Sequence, residues 1–256
     1  MAAYAARRMN LTSECYSAIA GGGADTVAAF LAWLAQRHRL EPQLRVLDVG
    51  CGPGRMFEAF RNAGWSVTAM EPHPEFHEAA TQAALAAGYA APRRAGFADL
   101  EARSEFDLIT AINDSFSHLL TADERGEALG RAFAALRPAG VLLLDVPNFL
   151  WILKNYRTPP EFRSSVPGGE VVLVREHEID FHTATFTTLE RYRLLRDGHE
   201  QRVQMRHVYA MTSLPELAHE IGLAGFTALE AYGSYAARAP ERIEGGRLLI
   251  SAVRPR

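Results

Sequence analysis

The sequence predicts an α/β fold in which a doubly wound, mostly parallel sheet is covered by helices on both faces. Between about residues 24 and 147, apolar segments of strand length alternate with amphipathic helical segments, as in a parallel sheet with crossover helices. The segment Val141–Val146 is apolar on both faces, which is typical of a buried parallel strand. From Val171 to Tyr209 the helical period disappears, and Val, Thr, Tyr and Arg dominate. This second pattern predicts an antiparallel β insert within the same domain.

The first half of the chain divides into clear helical and strand segments. A helix is predicted around residues 27–34, where apolar side chains recur at helical spacing, and a second one begins at a capping box formed by Thr121 and Glu124. The segment Pro138-Ala-Gly140 ends that second helix. The remaining predictions are strands over Leu44–Val49, Ser66–Met70, Phe106–Ile112 and Val141–Val146, and helices over Arg55–Ala63 and Glu75–Ala87.

The second half of the chain begins with the insert and then returns to the core pattern. Asp197-Gly198 lies between Thr185–Leu195 and Gln201–Tyr209 and predicts a hairpin turn. Ser213 and Glu216 form another capping box, which starts a helix. The closing strands are predicted over Thr227–Ala231 and Arg247–Val253.

Composition limits the classes of partner and site. The chain has 256 residues, a net charge of −3 and a pI near 6.3, so nothing in its overall charge favours binding to a nucleic-acid backbone. Its two cysteines, Cys15 and Cys51, are too few for a disulfide framework or a multi-cysteine metal site. Residues 1–10 have no apolar run typical of a secretory signal, and the apolar segments are too short to cross a bilayer. We therefore expect a soluble, cytoplasmic protein without nucleic-acid or membrane partners.

The most informative motif is the run V-L-D-V-G-C-G-P-G over Val46–Gly54. Glycines at the end of a strand and the start of a helix let the backbone approach a ligand closely. A dinucleotide fingerprint would need Gly or Ala where Arg55 stands, so an NAD-dependent oxidoreductase is disfavoured. Glu71 ends the next strand, where a carboxylate can accept hydrogen bonds from ribose hydroxyls. Asp48 adds a second carboxylate, which favours a cationic ligand.

These motifs resemble those of the class I S-adenosylmethionine-dependent methyltransferases. The resemblance extends over Phe106–Asn113 and Leu136–Asp145, which are similar to the motifs on the fourth and fifth strands of that class. It implies a Rossmann-like, doubly wound sheet of seven strands that binds S-adenosylmethionine. It also implies that Gly50, Gly52 and Gly54 cradle the cofactor, with Asp48 near its amino group and Glu71 on its ribose. We expect Phe97 to form a wall of the adenine pocket and Asp99 to be structural; the alternative is that Asp99 faces the exocyclic amine of the adenine, as an Asp after the third strand often does in that class. Further cofactor-binding candidates are Cys51, Pro72, Ile112 and Asn113.

The acceptor side is expected in Asn113–Leu120, directly after the predicted strand Phe106–Ile112. This segment and the β insert resemble the glycine N-methyltransferase-like branch, and more closely the amino-sugar N,N-dimethyltransferases. By that resemblance, His118 and Tyr16 are the candidate catalytic residues. His118 could instead cap the next helix or satisfy a loop carbonyl, and Tyr16 could be a packing residue. We expect Asp114, Ser117 and His207 to bind the substrate, although Asp114 could simply form a turn.

The insert also carries several histidines and arginines. Four histidines suggest a metal cluster only superficially, because strand spacing alone does not bring them together, so no metal site is predicted. They are His177, His182, His199 and His207. The arginines alternate with acidic residues, as on a solvated sheet face. They are Arg175, Arg191, Arg193, Arg202 and Arg206.

The sequence therefore predicts a methyltransferase that acts on a small molecule, most simply on an amine nitrogen. An O-methyltransferase and a non-catalytic S-adenosylmethionine-binding subunit are the alternatives. Nucleic-acid methylation is weaker, since Asn113-Asp-Ser-Phe116 replaces the Asn/Asp-Pro-Pro-aromatic segment of base N-methyltransferases. The expected division is an N-terminal lid segment (1–23), a cofactor-binding core (24–147), a substrate lid (148–212) and a C-terminal completion of the core (213–256). The exposed strand edges of the insert need covering, so the insert is also the candidate contact of a homodimer.

Overall fold

The computed structural model describes residues 10–20, 22–155, 157 and 161–256. Part of the expected N-terminal lid segment, at residues 1–9 and 21, lies outside the described residues, and so do residues 156 and 158–160 of the insert. The helices are α1 Leu11–Ala20, α2 Ala24–Arg37, α3 Phe57–Asn62, α4 Pro74–Ala86, α5 Ala122–Ala135, α6 Phe149–Asn155 and α7 Leu214–Leu223. The strands are β1 Arg45–Val49, β2 Ser66–Met70, β3 Phe106–Ala111, β4 Leu136–Pro147, β5 Phe162–Val166, β6 Gly169–Asp180, β7 Thr185–Arg196, β8 His199–Ala210, β9 Thr227–Tyr232 and β10 Arg247–Val253.

The main sheet has the strand order β2-β1-β3-β4-β10-β9. Strands β2, β1, β3 and β4 run parallel, whereas β10 is antiparallel to both β4 and β9. The α/β prediction is confirmed, and the doubly wound character follows from helices on both faces. One apolar cluster joins the sheet to α2 and α3, and another joins it to α5 and α7. Alternation within β1 produces this division, because Val46 belongs to the first cluster and Leu47 to the second.

The predicted count of seven strands is wrong for the described residues, where this sheet has six. Beyond β2, the chain makes a single parallel bridge between Met70 and Arg93. Arg93 N donates to Ala69 O at 2.9 Å, and Glu71 N donates to Arg93 O at 3.0 Å. The chain then turns into a short 3₁₀ helix at Phe97–Asp99, where the Asp99 carboxylate accepts a hydrogen bond from Gly96 N. This turn comes too soon for a longer ladder, and it gives Asp99 the structural role expected of it.

The insert forms a separate antiparallel sheet with the order β5-β6-β7-β8. The predicted hairpin is confirmed, since Asp197 (φ 50°) and Gly198 (φ 77°) both have the positive φ angles of a tight turn between β7 and β8. The insert begins with a helix, α6, which the prediction of antiparallel strands did not include. Its inner face shares a third apolar cluster with α1, built around Cys15, Tyr192 and Leu194.

Both predicted capping boxes are present, at Thr121 with Glu124 and at Ser213 with Glu216. The helix that starts at Thr121 ends at Ala135, three residues before Pro138, because the chain there already pairs with β3. Among the described residues, no single helix is long and apolar enough to span a membrane; α1 and α2 meet that criterion only as a pair, with a bend of 67° between them.

A buried ion pair holds α5 against α7. The Arg125 side chain is 5% exposed, and its Nη2 lies 2.6 Å from Glu220 Oε1 and 3.0 Å from Glu216 Oε1. Breaking a buried pair from one side leaves the other charge without compensation.

We expect Arg125→Met to lower the free energy of unfolding by about 3 kcal/mol, because Glu220 is left buried without its partner. The double variant Arg125→Met/Glu220→Met should recover most of the loss. Arg131→Met, which breaks an exposed i,i+4 pair with Glu127, is the control and should cost less than about 1 kcal/mol. Urea unfolding of the four proteins checks this, and equal losses for the two single arginine variants would contradict it.

Candidate active site

A cleft of about 1250 Å³ lies at the carboxyl ends of the parallel strands. Its walls come from the segments that follow β1, β2 and β3, from Asp145 near the end of β4, and from α1 and the insert. Ten of the predicted site residues line it: Tyr16, Gly50, Gly52, Glu71, Pro72, Phe97, Asn113, Asp114, His118 and His207. Five do not: Asp48, Cys51, Gly54, Ile112 and Ser117. The topology therefore brings together residues that are almost 200 positions apart in the sequence.

The glycines of the loop after β1 serve different purposes. A Cβ on Gly50 would lie 2.5 Å from the Ser115 Cβ, so this position lets the loop after β3 pack closely. A Cβ on Gly54 would lie 2.8 Å from both Phe57 and Ala83, which makes Gly54 a packing residue between α3 and α4. A Cβ on Gly52, which has a φ of 58°, would have nothing within 4 Å, and the residue faces the cleft. The open backbone surface for a ligand is therefore at Gly52.

Glu71 is fixed at the end of β2 by two backbone donors. Its Oε2 accepts a hydrogen bond from Gly52 N at 2.7 Å, and its Oε1 accepts one from His73 N at 2.8 Å. Burial raises the pKa of Glu71, and these two hydrogen bonds oppose the rise. The carboxylate thus ties the glycine loop to β2, and its remaining lone pairs can accept hydrogen bonds from hydroxyl groups in the cleft.

Asp48 lies behind the glycine loop. Its side chain is buried, and Asp48 Oδ1 accepts a hydrogen bond from the Thr110 hydroxyl at 2.8 Å. Burial raises its pKa to about 6, against the effect of the Thr110 hydrogen bond. Asp48 therefore braces β1 against β3, and no contact of its side chain with the cleft is present.

The other predicted residues outside the cleft wall are also buried. Cys51 belongs to the cluster under α3 and α4, and Ile112 belongs to the cluster under α2. Ser117 is 2% exposed, and its hydroxyl has no hydrogen-bond partner among the described residues. Sequence reasoning placed these residues near the ligand because their neighbours in the chain face it.

Tyr16 connects α1 to the loop after β3. Its hydroxyl accepts a hydrogen bond from Asn113 Nδ2 at 2.6 Å, and its ring packs on Phe76 with 4.9 Å between centroids. Burial raises the pKa of Tyr16 to about 12. Tyr16 is therefore neutral, and its own hydroxyl proton stays available to a group in the cleft. It is at once a packing residue and a wall of the cleft.

Asn113 and Asp114 both adopt left-handed conformations, with φ of 56° and 72°. Asp145 holds this turn, since its Oδ2 accepts from Asn113 N and its backbone oxygen accepts from Asp114 N, both at 2.9 Å. Arg247 Nη1 donates to Asp114 Oδ1 at 2.9 Å and to Asp145 Oδ1 at 2.7 Å. Burial raises the pKa of Asp114 to about 6, although Arg247 opposes the rise. Asp114 thus forms a turn and also presents a carboxyl group to the cleft.

His118 joins the core to the insert. Its Nδ1 lies 3.0 Å from the Val208 carbonyl oxygen, which can only accept, so Nδ1 carries the proton. Desolvation by the surrounding wall of the cleft lowers the pKa of His118 to about 4, although the side chain stays open to the cleft, and the charge of His207 acts in the same direction. The neutral ring therefore has an unprotonated Nε2. His118 satisfies a carbonyl, as one interpretation expected, and it also lines the cleft, where its catalytic role stays a prediction. The cap of α5 is Thr121 instead.

The insert contributes a carboxylate that sequence reasoning missed. Glu190 is buried on β7, and its Oε1 accepts from Arg175 Nε at 2.7 Å while its Oε2 accepts from the Tyr192 hydroxyl at 2.6 Å. His207 Nε2 lies 3.5 Å from Glu190 Oε2. Burial acts to raise the pKa of Glu190, but its interactions with His207, Arg175 and Tyr192 outweigh it and hold the pKa at about 2. The expectation of a solvated face is therefore wrong for Arg175, which lines the cleft.

The alternation of side chains along β7 already indicates that Glu190 points inward. Thr188, Glu190 and Tyr192 alternate on β7 and are all buried, so a glutamate on an otherwise inward face points to the cleft. Other lining residues that were missed are Asp145, Tyr209, Tyr235 and Arg247. Within the described part of the chain, no group of three or more His, Cys, Asp or Glu side chains could hold a metal ion.

Comparison with known proteins identifies the domain. Residues 46–140, which contain the glycine loop, Glu71 and the turn at Asn113, match the family described as "Methyltransferase domain". The chain carries an S-adenosylmethionine-dependent methyltransferase domain. This confirms the predicted family and its cofactor, S-adenosylmethionine.

Individual relatives extend the similarity beyond the domain. The chain is similar to a glycine/sarcosine N-methyltransferase of Parasynechococcus marenigrum, with 26% identity over 197 residues, which are 74% of this chain and 65% of that protein. It is 34% identical to a ubiquinone biosynthesis O-methyltransferase of Xanthomonas axonopodis pv. citri over 52% of this chain and 53% of the relative. The matches thus span less than two thirds of these two relatives. The fold is also that of CalS10, an amino pentose methyltransferase from Micromonospora echinaspora solved with S-adenosylmethionine bound, at a TM-score of 0.73 and 21% identity over 95% of this chain and 96% of that one.

The residues of the cleft suit S-adenosylmethionine. The space over Gly52 is open, so the backbone of the methyltransferase domain can approach the ligand there. Glu71 has oxygens that could accept from ribose hydroxyls, and Phe97 is an apolar side chain in the cleft wall, where a wall of the adenine pocket is expected. The carboxyl groups of Glu71, Asp114 and Glu190 lie in the wall of the same cleft, where Arg247 pairs with Asp114 and Arg175 pairs with Glu190. These residue roles remain predictions.

A pair of glycine variants separates binding from folding. Gly52→Ala should weaken binding of S-adenosylhomocysteine at least about tenfold, because its Cβ would point into the ligand space. It should cost only about 1 kcal/mol of stability. Gly54→Ala should cost at least about 2 kcal/mol, because its Cβ overlaps Phe57 and Ala83 at a positive φ. Calorimetric titration and urea unfolding of both variants check this, and the reverse order of the two effects would contradict it.

Proposed function

We propose that this chain transfers a methyl group from S-adenosylmethionine to the amine nitrogen of a small molecule bound between Asp114 and His118. The observation that carries the proposal is the neutral His118, whose Nδ1–H is committed to Val208 and whose Nε2 is left as an acceptor in the cleft. A cleft of about 1250 Å³ also has room for donor and acceptor together, which argues against a non-catalytic binding subunit.

The chemistry requires alignment more than a reactive side chain. When bound, S-adenosylmethionine supplies an electrophilic methyl group on a positively charged sulfur. Transfer needs the acceptor nitrogen in its unprotonated form and in line with that methyl group. An N–H of the acceptor that donates to His118 Nε2 would fix the direction of the nitrogen lone pair. This is the positioning role of His118.

Asp114 is the better proton acceptor of the two. The pKa of Asp114 is raised to about 6, whereas that of His118 is lowered to about 4. A carboxylate attracts the ammonium form of the acceptor and can take its proton before the transfer. Arg247 stays bonded to Asp145 when Asp114 is neutralised, so the turn keeps its support.

The insert acts as the substrate lid in this proposal. Its strand β8 meets the loop after β3 through the bond between His118 and Val208, so the insert stands at the carboxyl edge of the sheet. His207, Tyr209 and Glu190 reach the cleft from this side and would limit the access of water. Ser117 has no place in the acceptor site. Homodimerisation through the outer strands of the insert stays a prediction.

The N-methyltransferase proposal is supported by the carboxylates of the cleft and by the similarity to a glycine/sarcosine N-methyltransferase and to the fold of CalS10. The O-methyltransferase alternative is supported by the similarity to a ubiquinone biosynthesis O-methyltransferase. A hydroxyl acceptor would also donate to His118 Nε2 or to Asp114, but it carries no positive charge for the carboxylate of Asp114 to attract. Turnover of a panel of matched amines and alcohols separates the two.

Variants of His118 test its positioning role. We expect His118→Ala to lower kcat by about 10- to 100-fold, the range that corresponds to one lost hydrogen bond to a charged or reacting group. His118→Gln should retain most of the activity, because the glutamine amide also offers an acceptor. Neither variant should change the affinity for S-adenosylhomocysteine. Steady-state kinetics with each substrate varied in turn checks this, and equal losses for Gln and Ala would instead indicate proton transfer to His118.

The ionisation of Asp114 predicts a pH dependence. Since its raised pKa of about 6 keeps the carboxyl group neutral in acid, kcat/KM for the amine should rise as the pH increases through about 6. Asp114→Asn should lower kcat/KM and remove this step, while the rise caused by the titration of the amine itself remains. A pH profile from 4.5 to 9 for both proteins tests the assignment. A step near pH 6 that persists in Asp114→Asn would refute it.

A further inference from the structure

The methyl transfer proposed above assigns no role to Arg55. It stands directly after the glycine loop, at the position where a dinucleotide fingerprint would need Gly or Ala. In the structure, its guanidinium contacts the N-terminal segment. Arg55 Nη1 donates to Ala20 O at 2.8 Å and to Gly22 O at 3.1 Å. Arg55 also lines the cleft.

One of the two carbonyl oxygens belongs to the last residue of α1, and the other belongs to Gly22, which lies just beyond the helix. Ala20 is the last residue of that helix, and terminal carbonyls of a helix have no partners within it. The C-terminal end of a helix also carries a partial negative charge, so a cation is favoured there. Arg55 thus satisfies acceptors that would otherwise depend on water, and it does so from the loop that approaches the cofactor.

Helix α1 is fastened elsewhere to both the core and the insert. Ser13 Oγ donates to Glu75 O at 3.0 Å in the first turn of α4, and Glu14 pairs with Arg196 on β7. Tyr16 accepts from Asn113 at the acceptor side of the cleft. The charge of Arg55 opposes the rise in the pKa of Tyr16, which is consistent with a guanidinium close to the Tyr16 hydroxyl.

We propose that Arg55 is a positioning residue that anchors the C-terminal end of α1 to the glycine loop and thereby holds Tyr16 in the wall of the cleft beside Asn113. A ligand on the glycine loop and an ordered α1 then stabilise each other, because both depend on the same loop. The inference rests on the proposed function only in that the cleft binds the methyl donor.

The test compares Arg55→Met and Arg55→Lys with the control Arg61→Met, an exposed arginine on α3 that pairs with Glu58. Arg55→Met keeps the aliphatic stem but has no donor, so it should weaken binding of S-adenosylhomocysteine about 10- to 100-fold. It should also raise the KM for the donor far more than it lowers kcat. Arg55→Lys should recover part of the loss, and Arg61→Met should match the wild type.

Hydrogen exchange separates a local anchor from a general loss of stability, and it needs no methyl acceptor. With S-adenosylhomocysteine bound at saturation, amides of residues 11–20 should exchange faster in Arg55→Met, while those of β1, β3 and β4 keep wild-type rates. Wild-type affinity together with unchanged exchange of residues 11–20 would overturn the proposal. Faster exchange of the central strands as well would also overturn it, in favour of a general structural role. Failure of the proposed amine methylation would leave both readouts unaffected.

Discussion

The carboxylate of Asp145 is the contact on which the acceptor side of the cleft depends. It is buried near the end of β4 and accepts hydrogen bonds from Asn113 N, the Tyr235 hydroxyl and Arg247. A buried carboxylate is tolerated only when its oxygens are satisfied, and these three donors come from three different segments of the chain. Their convergence draws the loop after β3 and the start of β10 to one point. It also stabilises the left-handed turn at Asn113 and Asp114, which few non-glycine residues adopt without support.

The roof of the cleft, which α1 and the insert form together, depends on a different kind of interaction. Helix α1 and the inner face of the insert share an apolar cluster, so neither covers the cleft alone. Polar contacts then fix the position of α1 and the insert relative to the main sheet. His118 bonds to Val208 on one side, and Arg55 bonds to the end of α1 on the other. Apolar packing has no preferred direction, whereas these hydrogen bonds do. The roof is therefore held together by burial and aligned by a few directional bonds.

Local sequence patterns predicted most of the helices, strands and turns. They failed for features that depend on contacts between segments far apart in the chain. The capping boxes at Thr121 and Ser213 and the turn at Asp197-Gly198 were found because their partners lie within a few residues. The predicted seventh strand is missing from the sheet of the described residues, because pairing beyond β2 ends where the chain turns into the 3₁₀ helix at Phe97. Among the loop glycines, sequence could not separate Gly54, which packs on Phe57, from Gly52, which faces the cleft.

The sequence by itself determined the fold class, the class of cofactor and the segments that surround the ligand, since each follows from residues close together in the chain. Only the tertiary structure decided which side chains face the cleft and in what protonation state. Asp48 and Ser117 are buried away from it, whereas Glu190 and Arg247 reach it from segments with no recognisable motif. The neutral His118 and the raised pKa of Asp114 have the same origin, because burial and neighbouring charges are properties of the assembled fold.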